Sequence, residues 1–104
     1  YTYDFATNVK LLLEKEFWGL YNMVCGGITG RHEVAKELLN ILGLENEVNI
    51  TLVDSDYWKK EYFAERPPSE RLVNKKLDIR GLNIMRDWRV CLKEYIDDSY
   101  QNYL

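Results

Sequence analysis

Residues 64–77 read AERPPSERLVNKKL and hold both prolines of the chain, Pro67 and Pro68. Two successive prolines fix φ twice and remove two backbone donors, so neither a helix nor a central strand runs through them. Arg66, ahead of a proline, is pushed toward extended backbone. The stretch therefore divides the chain into helical patterns before and after a stiff segment, with a guanidinium at its start. Such a fork suits a paired anionic oxygen set such as a diphosphate. The plainer alternative is a surface turn with a solvated arginine.

Upstream, residues 4–15 carry Phe5, Val9, Leu12 and Leu13 at helical spacing, with Phe17 extending the stripe. Thr2 or Asp4 is the expected cap. After Gly19, residues 20–24 (LYNMV) read as a short strand, and Gly26, Gly27 and Gly30 frame a turn. CGGITG lacks the spacing of a dinucleotide fingerprint and reads as a strand-to-helix connection. Thr29 or Gly30 caps a helix over residues 31–42, with Gly43 as its stop. His32 in its first turn has no nucleophile or carboxylate at telling spacing and reads as a surface residue. Residues 48–53 alternate as a half-buried strand. Asp54, Ser55 and Asp56 read as caps of a short helix through Tyr62, in preference to an acid/base pair.

Downstream, residues 71–73 suggest a brief strand, and a short helix from Asn74 stops at Gly81. A final helix from Arg86 sets Trp88, Cys91, Leu92, Tyr95 and Ile96 on one face. The expected fold class is α/β (α+β): a helix-rich small domain with a few short strands. So few strands would want a neighbour to complete them.

At 104 residues and 46% hydrophobic content, one small domain with a packed core is feasible. A net charge of -3 argues against a nucleic-acid partner. No apolar run reaches the length of a membrane span, and no leader pattern opens the chain. The two cysteines, Cys25 and Cys91, and one histidine make no zinc pattern, so no metal site is expected. Both thiols are expected free and buried, as in a reducing cytoplasm, with a disulfide between them as the unsupported alternative. The start at YTYDFA without Met suggests a piece of a longer protein.

These segments together resemble one family. YTYDFA is similar to a T-x-D-(L/F)-A helix start, and the helix over residues 31–42 carries an E-x-A-K-E pattern at Glu33, Ala35, Lys36 and Glu37. Residues 66–77 follow R-P-x-x-S-x-L-x-x-x-K-L, except that Glu70 stands where the family has serine and Ser69 falls one place early. Residues 88–95 follow W-x-x-x-L-x-x-(Y/F). The chain thus resembles the C-terminal, substrate-binding half of dTDP-4-dehydrorhamnose reductase, an extended short-chain dehydrogenase/reductase.

The resemblance implies a parent enzyme with an N-terminal Rossmann domain, absent here, that uses NAD(P)H to reduce a dTDP-4-keto-6-deoxyhexose to dTDP-L-rhamnose. It implies a cytoplasmic protein, with a homodimer as one open state of the parent. No cofactor site and no catalytic residue is expected in this chain: no tyrosine is followed four residues later by lysine, the spacing of the family's proton donor. The expected substrate-binding residues are Arg66 and Pro67 at the diphosphate, Val24 and Thr29 at the cleft rim, and Tyr62 as a stacking surface. Two other readings stay open: a non-catalytic regulatory subunit or another sugar-nucleotide epimerase or reductase of the superfamily, and a small stand-alone interaction module.

Overall fold

The computed structural model describes residues 1–58 and 67–100. Among the described residues four α-helices form: α1 (Thr2–Glu14), α2 (Arg31–Leu42), α3 (Lys75–Ile79) and α4 (Trp88–Ser99), with a 3-10 turn at Ser55–Trp58. The chain falls into two compact units. The first joins Tyr1–Ile28 to Leu72–Leu104, and the second is Thr29–Arg71.

The first unit carries the core. Leu12 of α1, Leu77 of α3 and Leu82 pack together, with Leu11, Tyr21 and Met23 against them. Leu77 is 0% exposed. The α1 stripe differs from expectation. Asp4, Asn8 and Leu12 are its buried residues, while Phe5, Leu13 and Phe17 are exposed. Periodicity alone chose the apolar face, but the helix turns toward the residues that find partners. Asn8, also 0% exposed, donates from Nδ2 to the Leu82 carbonyl at 3.1 Å and accepts from the Ile84 amide at 3.4 Å. A buried amide so satisfied escapes the desolvation cost of an orphaned one. Neither Thr2 nor Asp4 caps α1: Tyr1 is the N-cap, and no side chain bonds there.

On α4, Trp88, Cys91 and Ile96 are buried as the spacing predicts, and Tyr95 is exposed. Asp87 caps the helix, accepting from the Arg89 amide at 2.9 Å.

The strands expected at 20–24, 48–53 and 71–73 do not form; among the described residues the sole ladder contact is a parallel bridge between Gly26 and Asp87. For 20–24 the reason is visible. Asn74 takes the place of a neighbouring strand at Val24, accepting from its amide at 2.9 Å and donating to its carbonyl at 2.7 Å. Asn22 donates to the Val73 carbonyl at 3.2 Å. The backbone is satisfied by amide side chains instead of a ladder, so extended chain persists without a sheet. Val48, Leu52 and Val53 stand exposed, and their alternation has no described strand to pair with.

In the second unit, α2 begins at Gly30, whose amide donates to Glu33 Oε2 at 2.9 Å. It ends at Gly43 with φ +69°, where the Leu44 amide reaches back to the Leu39 carbonyl at 2.9 Å, as the glycine stop predicts. Asp54 caps the 3-10 turn through the Asp56 and Tyr57 amides, at 2.9 and 3.1 Å.

Candidate functional site

The strongest polar constellation lies in the first unit, where the start of α1 meets the start of α4. Arg86 donates from Nη2 to Asp4 Oδ1 at 2.6 Å, from Nε to Asp4 Oδ2 at 3.0 Å, and from Nη1 to Glu94 Oε2 at 2.5 Å. The Arg86 amide adds a bond to Asp4 Oδ2 at 3.3 Å, and the Tyr1 hydroxyl donates to Glu94 at 3.0 Å. Asp4 is only 4% exposed. A carboxylate that deep needs a planar fork and further donors to hold its charge. The Arg86 guanidinium, helped by the Cys91 thiol, keeps the Asp4 carboxyl below its ordinary range against the opposing effect of burial. Arg86 likewise holds Glu94 low.

Cys91 donates to Asp4 Oδ2 at 3.2 Å. Burial first, then Asp4, pushes its thiol up to about 12. Cys25 and Cys91 are both free, as expected, with Cys91 buried and Cys25 half-buried. A thiol so held is a core group and a poor nucleophile.

The cluster therefore fixes the fold: it staples the N-terminal helix to the C-terminal one, with no unpartnered acid for proton transfer. Sequence reasoning missed it. The signal was the i, i+4 run Asp4–Asn8–Leu12, whose Asp4 lies within the T-x-D motif, and Arg86 beside the buried Trp88.

The residues expected to bind substrate are distributed as follows. Val24 is half-buried in the first unit, with both backbone groups taken by Asn74. Thr29 is exposed in the second unit, its hydroxyl donating to the Gly30 carbonyl at 3.3 Å. Pro67 is exposed in the second unit. Arg66 and Tyr62 lie outside the described residues.

The glycine turn packs closely on the start of α4. At Gly27, φ is +84°, and a Cβ would stand 2.7 Å from Asp87 Oδ2 and 2.8 Å from the Trp88 ring. The glycine admits side chains of this chain's own α4 start, Asp87 and Trp88. The neighbouring Trp88 Nε1 is buried with no acceptor among the described residues.

No group of His, Cys, Asp and Glu suited to a metal ion occurs among the described residues. No described helix is long and apolar enough to cross a membrane.

What these contacts define is a small helical lobe whose ion-paired core serves architecture. The model of the RmlD substrate binding domain family matches residues 1–101, and the chain belongs to that family. The family is related to sugar-nucleotide reductases, and its domain binds the sugar-nucleotide substrate within a larger enzyme. No curated protein and no solved structure matches the chain.

Proposed function

We propose that this chain is the substrate lobe of a dTDP-4-dehydrorhamnose reductase, holding a dTDP-linked 4-keto-6-deoxyhexose while hydride comes from NAD(P)H bound on a Rossmann domain. The observation that carries this reading is the family match over residues 1–101. The Asp4–Arg86–Glu94 ion pairs fit that reading as structural supports of the lobe. Arg66 is the residue assigned to the substrate diphosphate, with Pro67 stiffening its backbone.

The test uses the protein with its Rossmann domain. Arg66→Ala should weaken binding of the dTDP-keto-sugar by about 1.5–3 kcal/mol, the worth of a charge-assisted contact, and leave NADPH binding unchanged. Titration calorimetry with each ligand decides it. Equal losses for both ligands would overturn the assignment. The chain of residues 1–104 alone should oxidise no NADPH in the presence of substrate.

A further inference from the structure

The two cysteines of the chain stand far apart in sequence, and the first unit brings them together. The bridge between Gly26 and Asp87 does this. The Gly26 amide donates to the Arg86 carbonyl at 2.9 Å, and the Trp88 amide donates to the Gly26 carbonyl at 3.1 Å. The backbones are close enough that a Cβ on Gly26 would lie 3.6 Å from Asp87 Cα. Cys25 adjoins Gly26. Cys91 stands one helical turn beyond Asp87, its amide donating to the Asp87 carbonyl at 3.2 Å. Both sulfurs then meet the first turn of α1. The Tyr1 nitrogen donates to Cys25 Sγ at 3.7 Å, and Cys91 Sγ donates to Asp4 Oδ2 at 3.2 Å. The Phe5 amide closes that turn on the Tyr1 carbonyl at 3.1 Å. The thiols also act on each other: behind burial and Asp4, Cys25 adds to the rise of the Cys91 thiol, as a charge and as a hydrogen-bond partner.

The two sulfurs differ in the way a redox pair needs. Cys91 is 3% exposed and its thiol holds its proton, so a dissolved oxidant meets it poorly. Cys25 is half-buried and open to a small reagent. Asp4 does not depend on the Cys91 hydrogen. Arg86 gives the same carboxylate its Nη2 at 2.6 Å, its Nε at 3.0 Å and its amide at 3.3 Å. Removing the thiol hydrogen therefore leaves the buried charge paired.

We propose that Cys25 and Cys91 are a modification site, a thiol pair that a hydroperoxide converts to a reversible disulfide locking the first unit. Cys25 Sγ attacks one peroxide oxygen. An S–O bond forms, the O–O bond breaks, and the other oxygen leaves as water with the Cys25 proton. Cys91 Sγ then attacks Cys25 Sγ. The S–S bond forms, the S–O bond breaks, and the hydroxyl leaves as a second water with the Cys91 proton. The sulfurs together lose two electrons, and one peroxide is reduced to two waters. Cys91 is a poor nucleophile toward free reagents, but a sulfur held beside it needs no encounter. A dithiol reductant reverses the bond by exchange. The disulfide closes a loop that contains all of Thr29–Arg71, so it restricts the unfolded chain strongly.

The test treats the full chain with an equimolar amount of hydrogen peroxide, blocks the remaining thiols and reads the products by mass spectrometry. The wild type should lose the mass of two hydrogens, and its digest should contain a peptide joining Cys25 to Cys91 that dithiothreitol separates. Cys25→Ser should form no such link. Cys91→Ser should stop at a sulfenic acid on Cys25, captured by dimedone. The linked peptide is read on the wild type, so a variant that folds badly does not decide the outcome. Both thiols left free, oxygen added at Cys25 beside a free Cys91, or disulfides only between separate chains would each overturn the proposal. Urea unfolding followed by tryptophan fluorescence reads the lock. The oxidised wild type should unfold at a higher urea concentration than the reduced, and dithiothreitol should restore the lower midpoint. An equal or lower midpoint in the oxidised chain overturns the lock.

Discussion

The two units solve the problem of a small chain in different ways. Every residue found buried among those described belongs to the first: Leu12, Leu77, Leu82, Trp88, Cys91 and Ile96, together with the polar Asp4, Asn8 and Asn74. In the second, α2 buries none of its residues fully, and Val34, Leu38 and Leu42 are half-covered. The first unit unites segments from opposite ends of the sequence, and the Arg86 and Asp4 pair that joins them is 82 residues apart. Among the described residues of the second, the bonds are local: the Gly30–Glu33 bond, the Gly43 stop and the Asp54 cap. Long-range polar pairs can hold a core that local capping cannot replace, because each buried partner would be costly alone.

The largest expected effect tests that contrast at its centre. Leu77→Ala should destabilise the first unit by about 2–5 kcal/mol, since the site is fully enclosed and collapses poorly around a cavity. Urea denaturation followed by tryptophan fluorescence measures it. A loss below about 1 kcal/mol would show that the core is not organised around α3.

Next comes the ion-paired staple. Asp4→Asn removes the charge that Arg86 and Cys91 address and should cost about 1–3 kcal/mol. The pH dependence carries the same signature. Asp4 and Glu94 have folded values below their ordinary 3.8 and 4.5. Their contribution is therefore present above about pH 4.5 and lost as pH falls through the lowered folded values. Acid unfolding of Asp4→Asn should show a shallower slope there, and an unchanged slope would remove Asp4 from the account. At the alkaline end Cys91, raised from its ordinary 9.0 to about 12, has the opposite sign: its contribution is whole below pH 9 and lost as pH rises toward 12.

The smallest effect belongs to the second unit. Leu38→Ala, at a half-buried helical position, should cost about 1 kcal/mol of stability, half or less of a fully buried leucine. A loss as large as that of Leu77→Ala would erase the distinction between the units.

The local rules read directly from sequence were those with a local cause. The range of α2, the Gly43 stop, the Asp54 cap and the buried face of α4 at Trp88, Cys91 and Ile96 all appear where spacing and cap chemistry put them. The expected strands did not form, because a strand is defined by a neighbour and Asn74 met the needs of Val24 with one side chain. The buried polar face of α1 was hidden for a related reason. Asp4 and Asn8 look solvent-facing until Arg86, Leu82 and Ile84 arrive from the far end of the chain. Of the expected site, Val24 has both backbone groups bonded to the Asn74 side chain.

Sequence by itself determined the range of α2, its Gly43 stop, the Asp54 cap and the family, because these depend on residue type at short spacing. Only the tertiary structure decided which polar residues are interior. Burial and charge balance depend on what approaches from a distant part of the chain, and no periodicity within one helix records that.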